Sequence, residues 1–146
     1  MSQDIAVVIE HLGGKIADVA FEMLGTGREL AKSTGGKLLA VAAGQGLAAL
    51  AKELGAADAV LLCQGAGLEP YTPEAHQQAL AAALRVRAPR VTLVANTSIG
   101  MDLGAGLAAA LGWPLVAYCR DARLEGGTLV ATSQIYGGKL LAEAQV

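Results

Sequence analysis

Residues 90–112, RVTLVANTSIGMDLGAGLAAALG, decide how the rest of the chain is read. Val91–Ala95 is a short apolar run rich in β-branched residues, bounded by Pro89. Such a run predicts a parallel strand covered on both faces. It ends in the polar loop Asn96-Thr97-Ser98-Ile99-Gly100, and a helix is expected to start near Asp102. At that place a carboxylate caps the helix or opposes the partial positive charge of its first turn. Asn96, Thr97, Ser98, Gly100 and Asp102 therefore form a candidate anion or partner loop, because ligands of open α/β sheets bind at the carboxyl ends of strands. A well-capped connection explains the same residues equally well.

Working outward, apolar runs alternate with helical patterns. Strands are expected at Ile5–Ile9, Lys37–Ala43 and Asp58–Cys63. Helices are expected over Ile16–Lys32, Leu47–Leu54 and Pro73–Arg87. Gly25 and Gly27 weaken the first helix in its middle. The order predicts a mainly parallel sheet with right-handed crossovers and helices on both faces. After Gly112 the pattern changes. Pro114–Cys119 reads as a fifth strand, Glu125-Gly126-Gly127 as a turn before Thr128–Thr132, and Lys139–Ala144 as a last short strand. These ends predict antiparallel pairing.

Composition narrows the functions. The 146 residues fit one domain, 1–146, of which 53% are hydrophobic and 16% charged. Aromatic residues are only 3%, so the core is built from Ala, Val, Leu and Ile. A net charge of −2, with no basic stripe and few stacking rings, argues against a nucleic-acid partner. The longest uncharged apolar stretch, Leu103–Tyr118, is too short for a membrane span. Cys63 and Cys119 lack a C-x-x-C partner, and the N-terminus lacks a basic signal-peptide start. A cytoplasmic protein with reduced thiols is expected.

Few motifs carry chemistry. Gly44-Gln45-Gly46-Leu47-Ala48-Ala49 fits the dinucleotide pattern G-x-G-x-x-G/A, but Gln64 stands where the ribose-binding acid belongs. Gly-Gly-Lys occurs at 13, 35 and 137 without the remainder of a phosphate loop. His11 and His76 have no metal-ligand spacing, and Ser33, Ser98 and Ser133 have no nucleophile elbow. No catalytic residue is assigned.

Four stretches then carry a resemblance. They are Val8-Ile9-Glu10-His11 with Gly14-Lys15-Ile16, Leu68–Glu74, Thr97–Leu103 with Leu107–Gly112, and Ile135–Lys139. In this order, over nearly the whole chain, they resemble the N-terminal domain of the electron transfer flavoprotein alpha subunit. The resemblance implies a three-layer α/β/α sandwich of the Rossmann-like, adenine-nucleotide-hydrolase-like kind. It implies an electron-carrier component and not a catalyst, a structural and docking module in electron transfer from flavin dehydrogenases. FAD is implied for the complete complex and not for this chain alone, because the family's FAD-binding domain is expected to be absent from these residues. The implied partners are a beta-type subunit or a separate flavin-domain chain. Met101, Gly106 and the pair Ser133-Gln134 depart from the family's arginines and Arg-Pro. Two alternatives remain: a small nucleotide-binding protein taking an adenosine phosphate near Asn96–Gly100, and a homodimer that has lost its electron-transfer role.

Overall fold

The computed structural model describes residues 2–146. The chain opens with β1 (Ile5–Val8), followed by a small hairpin of β2 (His11–Leu12) and β3 (Lys15–Ile16). Then come α1 (Asp18–Thr34), β4 (Leu38–Gly44), α2 (Ala48–Glu53), β5 (Ala59–Gln64), α3 (Pro73–Arg87), β6 (Val91–Leu93) and α4 (Ser98–Leu111). Strands β7 (Cys119–Glu125), β8 (Thr128–Ile135) and β9 (Leu140–Gln145) close it.

The apolar runs pair as their composition requires. Strands β5, β4, β1 and β6 lie side by side in that order, all parallel. Every residue of β1 and β4 is buried, because helices cover both faces. One face packs Ala20, Leu24 and Leu30 of α1 with Leu50 of α2, and the other packs Leu80 and Leu84 of α3 with Leu103 and Leu107 of α4. This is the expected three-layer α/β/α arrangement. Fully burying one such aliphatic side chain contributes about 1.5–3 kcal/mol, so the two faces carry most of the stability.

Glycine makes the close approaches possible. Gly27 does not break α1; a β-carbon there would lie 2.7 Å from Leu38 Cδ1 and 3.0 Å from Val7 Cγ2. The residue lets the helix sit down on β1 and β4.

Two expectations need correction. The first helix begins at Asp18, not Ile16, because Ile16 pairs with His11 in the small hairpin. Pro114–Cys119 is not a fifth strand of the parallel sheet. Residues 113–118 form no strand, and β7 starts only at Cys119. The C-terminal hairpin competes for that backbone and wins. Gln134 N–H donates to the Tyr118 carbonyl at 3.1 Å, and Ser133 Oγ donates to the Ala117 carbonyl at 2.9 Å. The outer edge of β6 is thus left beside a cavity of about 520 Å³, walled by α1, α4 and residues 115–122. Strands β7–β9 form their own three-stranded antiparallel sheet and do not extend the parallel one.

Candidate functional site

The parallel strands all end on one side of the sheet. The chain runs from β1 to β4 to β5 in one direction, then places β6 on the other flank of β1. The order therefore reverses between β1 and β6, and the crevice outside their carboxyl ends is the expected ligand position of an open α/β sheet. Glu10 and His11 follow β1, and the loop Ala95–Thr97 follows β6.

A single hydroxyl joins the two exits. Thr97 Oγ1 donates to Glu10 Oε2 at 2.5 Å and accepts from the Gly100 N–H at 2.9 Å. Thr97 is thus the N-cap of α4, extended at φ −104° and ψ 174°. The helix starts at Ser98, four residues earlier than Asp102. Asp102 is neither the cap nor a first-turn acid; it is exposed in the second turn, and its carbonyl accepts from Gln77 Nε2 at 3.0 Å. The error has a simple cause. Threonine caps nearly as well as aspartate, and the β-branched Ile99 with Gly100 reads as loop although both lie in the helix.

The five loop residues separate into two groups. Thr97 and Gly100 are drawn together in the cap, and Gly100 is buried with its α-carbon against the Ala95 carbonyl. A side chain at Gly100 would push α4 off the end of β6. Asn96, Ser98 and Asp102 face solvent.

Beside the Thr97–Glu10 link lies a cleft of about 50 Å³ lined by Glu10, His11, Tyr71, His76, Ile99 and Leu103, among others. His11 Nε2 lies 2.8 Å from the Ala43 carbonyl oxygen, and His76 Nδ1 lies 3.0 Å from that of Thr72. Carbonyls only accept, so each of these nitrogens carries the ring proton. Tyr71 packs on His76 with ring centroids 4.7 Å apart. Burial raises the Tyr71 phenol above its ordinary pKa, and the carboxylates of Asp102, Glu10 and Glu74 raise it further. The two histidines, far apart in sequence, share one cleft. No spacing rule brings them together; the switch-point rule locates His11, three residues past the end of β1 at Val8, only after the strand order is known.

The dinucleotide pattern resolves as packing. A β-carbon on Gly44 would meet the His11 ring at 2.8 Å, so this glycine makes room for the histidine. The Leu47 N–H at the entrance to α2 donates to Gln64 Oε1 at 2.9 Å. The residue in the ribose-acid position therefore occupies an amide that a phosphate would use. Among the described residues no group of three or more His, Cys, Asp or Glu could hold a metal ion, and no helix is long and apolar enough to cross a membrane.

The residues that depart from the family pattern have local roles. A β-carbon on Gly106 would run into the Gln77 side chain, so glycine here sets the contact between α3 and α4. Ser133 is buried and holds the Ala117 carbonyl. Met101 is half exposed on the wall of the larger cavity.

The family description Electron transfer flavoprotein domain matches residues 5–146. The chain belongs to the electron transfer flavoprotein domain family. It is 36% identical over 141 residues to Protein FixB of Clostridium saccharobutylicum, an alignment covering 93% of this chain and 42% of that protein. It is 35% identical over 143 residues to the electron transfer flavoprotein subunit alpha of Megasphaera elsdenii, with 95% of this chain and 42% of that protein covered. It is 38% identical over 119 residues to the acryloyl-CoA reductase electron transfer subunit beta of Anaerotignum propionicum, covering 80% of this chain and 32% of that protein. The chain thus spans less than half the length of these relatives.

Proposed function

We propose that this chain works as an alpha-type electron transfer flavoprotein N-terminal domain, a docking module whose flavin is held outside residues 1–146. The observation that carries the docking role is the C-terminal sheet. Leu140 and Leu141 on the edge strand β9 are 54% and 61% exposed, and Tyr136 in the turn before it is 75% exposed. Among the described residues strand β9 pairs only with β8, so one row of its backbone groups is unpaired within the sheet. Such an edge invites a strand or apolar face from a partner. Relatives named as an alpha subunit imply a counterpart subunit, and a beta-type subunit is the occupant this reading commits to.

Two features support placing the flavin elsewhere. The switch-point cleft of about 50 Å³ is far below the roughly 300 Å³ at which small-molecule sites begin; the cavity of about 520 Å³ beside β6 reaches that size, so the argument from volume removes the switch point alone as a flavin site. The glycine pattern at Gly44 is filled by His11 and Gln64.

The test is reconstitution. The chain is mixed with a beta-type subunit from the same cell, and complex formation is followed by sedimentation. Leu141→Arg is expected to weaken the complex at least tenfold while leaving the unfolding midpoint in place. An unweakened complex would move the docking face away from β9. A chain that self-associates through β9 without binding the subunit would identify a second copy as the occupant. A flavin spectrum retained by this chain alone through gel filtration would overturn the placement of the cofactor.

A further inference from the structure

The cavity of about 520 Å³ beside β6 continues the layer of the parallel sheet. Val19 and Met23 of α1 line it on one face, Met101 and Ala105 of α4 on the other, and residues 93–95 at the end of β6 lie between them. Helices α1 and α4 pack on opposite faces of the sheet, so both overhang its last strand. Among the described residues β6 pairs only with β1, and the backbone groups of its outer edge have no strand beside them. The space is therefore bounded as a strand site is, with helical side chains above and below and an unpaired edge alongside. Its remaining wall includes residues 115–118, which follow closely on the end of α4. Leu115-Val116-Ala117-Tyr118 carries no charge, and Val and Tyr favour extended structure. Pro114 suits the first residue of an edge strand. Yet residues 113–118 form no strand, and Leu115 and Tyr118 are more than half exposed. Two hydrogen bonds tie the segment to β8: Ser133 Oγ donates to the Ala117 carbonyl at 2.9 Å, and Gln134 N–H to the Tyr118 carbonyl at 3.1 Å. Tyr118 turns at φ 56°, a left-handed conformation that bulky side chains rarely adopt.

We propose that residues 114–118 are a strap with a second seat: released from β8, they move onto the outer edge of β6 and close the cavity as a fifth parallel strand. The connection has the sense this requires. A segment that follows β6 through α4 and returns beside β6 runs parallel to it, in the right-handed crossover of α/β sheets. Docking exchanges the two bonds to β8 for pairing along β6. It covers the exposed Leu115 between the helical layers and frees Tyr118 from its left-handed turn. It also loosens the start of β7, because Cys119 pairs with Ser133, the residue that holds the strap. The strap thereby couples the two sheets: contacts that tighten β8 keep the cavity open, and contacts that loosen it favour closure. This inference is independent of what docks at β9.

Amide hydrogen exchange followed by NMR on the whole chain tests it. Ser133→Ala removes one of the two bonds that hold the strap open. Those amides of residues 91–95 that β1 leaves unpaired should then gain protection by about tenfold or more, and amides of residues 115–117 should gain with them. Adding Val116→Lys to Ser133→Ala places a charge between apolar walls in the docked strap and should erase the gain. Amides of residues 91–95 that exchange no more slowly in Ser133→Ala than in the unmodified chain would overturn the proposal. So would protection that survives Val116→Lys, or protection that rises with protein concentration, which would put a second copy on the edge instead. If Ser133→Ala does not fold, relaxation dispersion on the unmodified chain decides the question. One shared exchange rate at residues 93–95 and 115–118 supports the strap, and separate rates or no exchange overturn it.

Discussion

The hexapeptide Gly-Gly-Lys-Leu-Leu-Ala occurs twice, at 35–40 and at 137–142. Both copies turn at their glycines and run into a strand, β4 in the first case and β9 in the second. There the likeness ends. Leu38 and Leu39 are both 0% exposed, whereas Leu140 and Leu141 are 54% and 61% exposed. Strand β4 lies between β1 and β5 under helices, and β9 lies at the edge of a sheet with one neighbour. Identical local chemistry thus yields a core strand in one place and an uncovered edge in the other. What differs is the number of partners that the rest of the chain supplies.

The sharpest way to break this comparison is to shorten the same side chain in both copies. Leu39→Ala removes a wholly buried side chain and should cost about 2–5 kcal/mol. Leu141→Ala in the isolated chain should stay within about 0.5 kcal/mol, as exposed substitutions do. Denaturant unfolding of the two variants measures both. Equal losses would mean that β9 is covered in solution, by a second copy or by residues rearranged within the chain.

A smaller effect separates the two candidate caps of α4. Thr97→Ala loses both the Gly100 contact and the Glu10 contact and should destabilise by about 1–2 kcal/mol, with Thr97→Ser recovering most of it. Asp102→Asn should change stability by less than about 0.5 kcal/mol, since Asp102 is exposed beyond the first turn. Unfolding midpoints that rank the other way would return the cap to Asp102.

The smallest effect concerns acid, and it falls on the first copy of the hexapeptide. Asp58 accepts from Arg28 Nη1 at 2.8 Å and from the Leu38 N–H at 2.7 Å. The Arg28 guanidinium first, and the Leu38 amide second, hold this carboxyl below its ordinary pKa. A carboxyl depressed in the folded state contributes stability above its unfolded pKa of about 3.9. That contribution is lost as pH falls through the lower folded value. Asp58→Asn should therefore weaken the fold slightly near neutral pH, and the difference from the unmodified chain should shrink in acid. A difference independent of pH between 7 and about 2 would show that Asp58 acts through packing or its backbone contact alone.

Much of this was legible in the residues. Unbroken apolar runs marked β1, β4 and β5 because strands buried on both faces cannot alternate. Alternation of those runs with helical periods marked the layered fold. The run at Leu115–Ala117 looked the same but is claimed by the C-terminal hairpin, and no local pattern shows which of two possible partners a strand will take. In the candidate loop, position was legible and role was not. Thr97 and Asp102 both suit a helix start; the Gly100 N–H donating to Thr97 Oγ1 makes Thr97 the cap, and Glu10, 87 residues away in sequence, accepts from the same hydroxyl.

By itself the sequence determined most of the parallel strands and the helices between them, their order, the apolar core and the family. These rest on local periodicity, turn chemistry and motifs that a linear chain displays. Tertiary structure alone decided which strands neighbour which, and so placed the switch point between β1 and β6. It brought His11, Tyr71 and His76 to one cleft, turned Gly44 into a seat for an imidazole, and buried one Leu-Leu-Ala while exposing the other. The physical reason is that burial and hydrogen-bond satisfaction depend on every group within a few ångströms, and those groups come from distant parts of the chain.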